Sequence, residues 1–358
     1  MRRSHPHLEP LSRIRRAISA RHRALSLCTP FLLLLGCNET PTDSAVTNDV
    51  VGYREAVEQI LNKPRSATGN VYTLRLPSRA ARRMEVGDQR ITPLDFLAII
   101  GCPLSEIVAE RNAPLGKVLV PTRRLAHEWL VVDAIEDCLP ALTTERAERL
   151  RVQPARKRAE LPLHRWNGVW LDRDLERFLS GGPSSLIGGE RAGDGPQQLI
   201  RAARAIEARD ASALEGAFEQ VRDEDAMGPR LRALAAVAHE LELVATLIEE
   251  MTTTVCDKLD RKLIRTFREE YMPIQPALGA LDRMGRDDVE GIAALFRATA
   301  QTVEPPEPMA RFRFAVRGSS LDGASEGVWA RYRQAVLSHA AAWAPLLERC
   351  AGMPNTLP

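Results

Sequence analysis

The sequence predicts a mainly α protein, a multi-helix, bundle-like body in two helical subdomains. Three observations predict it. Apolar residues recur at three- and four-residue steps over several long stretches, alternating segments are scarce, and a glycine-rich interruption at residues 181–196 separates two helical groups. The chain has 358 residues and is 44% hydrophobic, enough for one large core or two smaller ones.

Residues 1–36 read as a lipoprotein signal peptide. An Arg-rich start (Arg2, Arg3, Arg13, Arg15, Arg16, Arg21, Arg23) leads into an apolar run from Ala24 to Leu35, with small Gly36 before Cys37. The run is too short for a permanent membrane span. Arg15-Arg16 reflects the abundance of Arg better than a twin-arginine signal. Leu34-Leu35-Gly36-Cys37 resembles the bacterial lipobox, although Leu35 is bulkier than the Ala or Ser usual there. That motif implies a diacylglycerated Cys37 thiol, cleavage just before it, and acylation of the new amino terminus. Three acyl chains exceed the two signals that stable anchoring requires. The alternative is a buried apolar helix with an incidental Cys. Asn38, where Asp would retain a lipoprotein at the inner membrane, implies sorting to the periplasmic face of the outer membrane. Residues 37–50, polar and containing Pro and Thr, read as a flexible tether.

Removing the leader changes the charge. The full chain has 49 basic and 47 acidic residues; the leader holds seven Arg and one Glu, leaving 42 against 46, a net charge of −4. A nucleic-acid partner is disfavoured, because that binding needs a basic surface to release counterions. Beyond Cys37 four cysteines remain, Cys102, Cys138, Cys256 and Cys350, an even number that reads as disulfides in an oxidising compartment. Of three pairings, the local ones, Cys102 with Cys138 and Cys256 with Cys350, are favoured. Cys102 opens one helical segment and Cys138 closes another, so an antiparallel return brings them together. No C-x-x-C or close Cys/His set points to a metal or any other cofactor.

The N-terminal helical subdomain is expected over residues 51–180. "TPLDFLAII" begins with Thr92 as N-cap, Pro93 at the first helical position and Asp95 near the positive end of the dipole. The next helix, from Pro121, places Leu125, Trp129, Val132, Ile135 and Leu139 on one face and ends beside Cys138. After the loop, residues 197–351 form the second subdomain. There Leu231, Leu234, Val237, Leu241, Val244 and Ile248 define a core helix, and "MTTTV" weakens its end before Cys256. The terminal stripe Trp329, Tyr332, Val336, His339, Trp343, Leu346 and Cys350 faces the core. His339 is expected to be a buried histidine bonded to a carbonyl or carboxylate of another helix, with a catalytic or ligand role as the alternative. Pro345 should kink or end this helix. "RFRFAVR" and "VYTLRLP" alternate like strands. One reading pairs them as a short two-stranded β element; the other lays an irregular extended segment against helices.

Catalytic motifs are near misses. "HEWLV" at His127 and "HELEL" at His239 have Val131 and Leu243 where a zinc-binding helix needs its second His. "GSSLDG" has Asp322 in place of the last glycine of a nucleophile elbow. "GGPSSLIGGE" lacks the Lys of a phosphate loop, and the acid pairs Asp287-Asp288 and Glu269-Glu270 read as solvated helix surface.

"LDFLAIIGCPLSEIVAERNAPLGKVLVPTRRLAHEWL", "KRAELPLHRWNGVW", "REEYMPIQPALGALDR" and the terminal Trp/His/Trp/Cys helix, in this order, resemble the bacterial lipoprotein family filed as domain of unknown function 3080. Ala113-Pro114 stand where that pattern has small hydroxyl residues after Asn112. The resemblance implies lipoprotein status and a largely helical fold. It carries no catalytic residues. The expected function is a non-enzymatic, outer-membrane-anchored lipoprotein that binds an envelope protein or component. The rival is a periplasmic hydrolase using "RNAPLG" and a histidine. A pocket uniting Arg111, Asn112, His127 or His164 would favour the enzyme, and broad, pocketless surface the binding protein.

Overall fold

Helix α1 (Ala45–Ile60) opens the computed structural model, which describes residues 45–64, 66, 74–87, 92–180, 193–224, 226–251, 255–318 and 327–351. The leader, Cys37, "GSSLDG" beyond Gly318, and the glycine-rich segment through residue 192 lie outside the described residues. Residues 45–50, expected in the tether, are already helix. Val46, Val50, Tyr53 and Val57 are buried at helical spacing, and that stripe draws the segment onto the body.

The N-terminal group continues with α2 (Arg79–Arg82), α3 (Pro93–Ala98), α4 (Pro103–Asn112), α5 (Pro114–Lys117), α6 (Pro121–Cys138), α7 (Thr144–Trp170) and α8 (Arg173–Ser180). The C-terminal group comprises α9 (Gly195–Ala208), α10 (Ala211–Arg222), α11 (Met227–Glu249), α12 (Lys258–Thr266), α13 (Gln275–Thr299), α14 (Glu307–Arg317) and α15 (Val328–Arg349). A π turn at Phe267–Tyr271 and a 3-10 turn at Met272–Ile274 join α12 to α13. Among the described residues there is no strand. "RFRFAVR" is α14, where Met309, Phe312 and Val316 at helical spacing are buried while Phe314 faces out. Residues 74–77 of "VYTLRLP" are irregular, with Leu74 buried.

The two helical groups share a core. One apolar cluster runs from Val46 and Trp166 through Leu199, Leu234 and Leu295 to Trp343, and the described residues belong to one compact unit. Helix α11 is its axis, packed by α1, α13 and α15. Gly195 and Pro196, expected in the loop, are the buried first turn of α9. Helix α15 continues through Pro345 to Arg349. A satellite core of Ile99, Leu104, Val131 and Ile135 sits between α4 and α6, closed by the Cys102–Cys138 disulfide (Cα–Cα 5.6 Å). Cys256 pairs with Cys350 (Cα–Cα 5.3 Å), fastening the start of α12 to the end of α15. No helix among the described residues is long and apolar enough to cross a membrane.

Candidate functional site

The segment "HRWNGVW" at the end of α7 builds a cleft. Trp166 Nε1 donates to the Arg82 carbonyl at 2.7 Å, and the Asn167 amide accepts from Met84 N at 2.9 Å while donating to its carbonyl at 2.7 Å. These bonds strap residues 82–84 across the helix in place of a sheet partner. Helix α2, just before the strap, is capped by Ser78 Oγ, which accepts from Ala81 N at 3.3 Å. Gly168 sets the approach of α6, because a Cβ there would meet Leu125 Cβ at 2.8 Å. Any larger residue would push the two helices apart.

The resulting cleft, of about 320 Å³, is lined on its polar side by the cations Arg79, Arg83 and Arg124 and by His164, with one carboxylate, Glu85. Met84, Leu125 and Leu171 supply apolar wall. None of the three guanidiniums has a carboxylate at salt-bridge distance among the described residues. Partial burial, then the charges of Arg111 and Arg83, depress the Arg124 pKa against the opposing pull of Glu128, and Arg79 acts on the buried Asp172, so carboxylates behind the cleft offset part of its positive charge.

Behind it lies Glu128, buried on α6. Burial acts against its carboxylate, but Lys157 at 2.7 Å and the nearby His164 outweigh that and hold its pKa below the ordinary range. His164 Nε2 is 3.8 Å from Glu128 Oε2, beyond hydrogen-bond distance, and is buried without a hydrogen-bond partner. Burial lowers the pKa of both His164 and His127, so each is neutral near pH 7. His127 Nε2 meets the Ile107 carbonyl at 3.1 Å and so tethers α6 to α4. Arg111 donates to the Gly116 carbonyl and shapes the turn into α5, while Asn112 is exposed at the end of α4. Of the expected pocket, then, His164 lines the cleft, Arg111 and His127 support its neighbourhood, and Asn112 stands apart. Sequence reasoning missed Arg79, Arg83, Arg124 and Asn167. The one signal was Asn167, a polar residue set between two tryptophans in an otherwise apolar helix end.

His339 lies elsewhere, in the core between α1 and α15. Its partners are not the carbonyl or carboxylate expected. The Tyr53 hydroxyl is 2.9 Å from Nε2 and Trp343 Nε1 donates to the same nitrogen at 3.1 Å. An indole N–H only donates, so Nε2 accepts and the ring proton sits on Nδ1, which has no partner. Tyr271 and Phe267 pack on the ring, and burial pushes the His339 pKa down to about 3. The titratable groups facing it, Tyr53 and Tyr271, have raised pKa values and stay neutral, so no anion offsets a charged imidazole. The unfolded chain, with an ordinary value of 6.5, takes up a proton that the folded one refuses. Stability is therefore lost as pH falls below that value, at up to about 1.4 kcal/mol per pH unit. Between pH 7 and 5 the His339 contribution should be about 2 kcal/mol, and urea melts of wild type and His339→Phe at both pH values will read it. Identical pH slopes in the two proteins would refute this assignment.

Among the described residues, one group has the makings of a metal site, Cys256, Asp260 and Cys350, and its two sulfurs are joined to each other.

Fold and site define an all-α protein with two disulfides and an arginine-lined cleft. Residues 51–354 match the family described as "Protein of unknown function (DUF3080)", and the chain belongs to that family. No curated protein and no solved structure matches it.

Proposed function

We propose that the protein is a lipoprotein of the outer membrane, held at Cys37 on the periplasmic face, whose helical body binds an envelope component at the cleft. The observation that carries the binding role is the set of three guanidiniums on one concave surface, none with a carboxylate at salt-bridge distance among the described residues. A cleft lined by charges of one sign focuses their field and raises the local concentration of an anionic ligand. The two disulfides fit an oxidising compartment, and the Leu34–Cys37 pattern fits an acyl anchor. A hydrolase is the second reading, favoured by the presence of His164 on the cleft wall near Glu128. The wall offers no Ser, Thr or Cys beside that histidine to act as nucleophile.

Palmitate labelling and fractionation test the anchor. Wild type should label and float with outer membranes, and Cys37→Ser should remain an unlabelled precursor. Asn38→Asp should move the labelled protein to the inner membrane. Labelling of Cys37→Ser like wild type would end the lipoprotein reading, and unchanged outer-membrane recovery of Asn38→Asp would remove the basis for the location.

A further inference from the structure

Three large apolar side chains are exposed on the run that carries the cleft-lining Leu119. Leu115, Val118 and Val120 are 81%, 74% and 50% exposed, on the short run that leads into α6, and their neighbour Leu119 lines the cleft itself. Leu94 and Leu97 on α3, and Ile100 in the turn after it, are likewise exposed. Apolar side chains exposed on the run that borders the cleft offer an alkyl chain surface to cover, since their contact with water is unfavourable.

We propose that the cleft binds an anionic amphiphile, its phosphate or carboxylate head seated among Arg79, Arg83 and Arg124, its alkyl chain lying along Leu115, Val118 and Val120. The excess of positive charge in the wall fits an anion. Guanidiniums present forked donors that match an oxyanion bidentately, and His164 Nε2 is a buried nitrogen still without a partner. The cleft also opens at the first turns of α6, where Pro121 and Arg124 line it, so the positive end of the helix dipole adds in the same direction. Glu85, exposed on the strap, is the one opposing charge in the wall. A bare anion would use the arginines alone and leave the apolar lip wet. A neutral amphiphile would use the lip alone and leave the arginines unpaired.

This assignment rests on the cleft being the binding surface, and it is tested independently of the anchor. The mature, acylated protein held in dodecyl maltoside is titrated with hexyl phosphate, inorganic phosphate and hexyl glucoside by calorimetry. Hexyl phosphate should bind saturably and hexyl glucoside should not. Inorganic phosphate should bind about tenfold or more weakly, the factor that 1.4 kcal/mol corresponds to. Arg83→Gln/Arg124→Gln, both exposed, should weaken hexyl phosphate by more than tenfold with the melting temperature preserved. Val118→Ser should weaken hexyl phosphate and leave inorganic phosphate unchanged. Hexyl phosphate that fails to saturate, or that binds the double arginine variant as it binds wild type, would overturn the site. Inorganic phosphate binding as tightly as hexyl phosphate would overturn the amphiphile and indicate a free phosphate-bearing molecule instead.

Discussion

Arg54→Met should destabilise the protein by about 3 to 5 kcal/mol, the cost typical of stripping one partner from a buried ion pair. Arg54 on α1 is 2% exposed and donates through Nε to Glu240 on α11 and through Nη1 to Glu58 at 2.5 Å; both carboxylates are 1% exposed. Burial opposes the Arg54 charge, yet the bonds to Glu240 and Glu58 more than offset it and raise its pKa. With methionine in its place, two like-charged carboxylates face each other across the α1–α11 contact, and Glu58 keeps its bonds from Ser66, the backbone one at 3.1 Å. One or both must then take up a proton or draw in water, at the expense of the contact that seats α1 on the central helix. Urea denaturation should show the midpoint falling at unchanged slope. Adding Glu58→Gln and Glu240→Gln to Arg54→Met should recover part of the loss, since neutral amides need no cation. A cost for Arg54→Met below about 1 kcal/mol would mean that water reaches the triad and that it behaves as a surface pair.

The contrast between this triad and the rest of the core shows what the sequence discloses. Long stripes were legible because burial of every third or fourth apolar residue leaves a periodic trace; α6, α11 and α15 follow theirs. Helix-bounding signals placed Cys102 at the head of α4 and Cys138 at the foot of α6, and the disulfide follows from that antiparallel return. Asp288, which the sequence presents as solvated helix surface, is fully buried and bonded to Arg230 at 2.8 and 2.9 Å. The trace was there, since Leu278, Leu281, Gly285, Asp288, Ile292 and Leu295 keep one face of α13, but a carboxylate in such a stripe makes sense only once its partner on α11 is known. Alternation misled at "RFRFAVR" because two periods coexist in it, and the helical one, anchored by Met309 outside the motif, wins the core. The cleft was hidden for a different reason. Arg79, Arg83, Arg124 and His164 come from three segments, and an arginine among 49 basic residues carries no mark of being unpaired. Their convergence depends on the Asn167 strap and on Gly168, which act through backbone geometry and leave no periodic signature.

The two disulfides should have unequal reach, and removing Cys256–Cys350 should be the more damaging. In the chain-entropy description, loops of 94 and 36 residues would contribute at most about 4 to 5 and about 4 kcal/mol respectively, with strain and residual structure reducing both. What each bridge holds decides the outcome more than loop length does. Cys102–Cys138 closes the satellite core of α4 and α6, whose loss leaves the main cluster intact. Cys256–Cys350 ties α12 to the end of α15, and α15 packs along the axis helix α11 and carries Tyr332, His339 and Trp343 into the centre. Next to it Arg349 donates to the buried Asp260 at 3.1 Å, a contact that depends on the helix end staying docked. A double Cys256→Ala/Cys350→Ala variant should therefore lower the global unfolding free energy by several kcal/mol, a large part of a domain's usual margin. Cys102→Ala/Cys138→Ala should instead expose residues 93–120 to limited proteolysis while the global transition moves little, because a small cooperative unit opens alone. Cys102→Ala/Cys138→Ala shifting the global transition as far as the other pair would mean that the satellite core folds as one unit with the bundle, and the cleft, which borders it at α6, would then depend on that bridge as well.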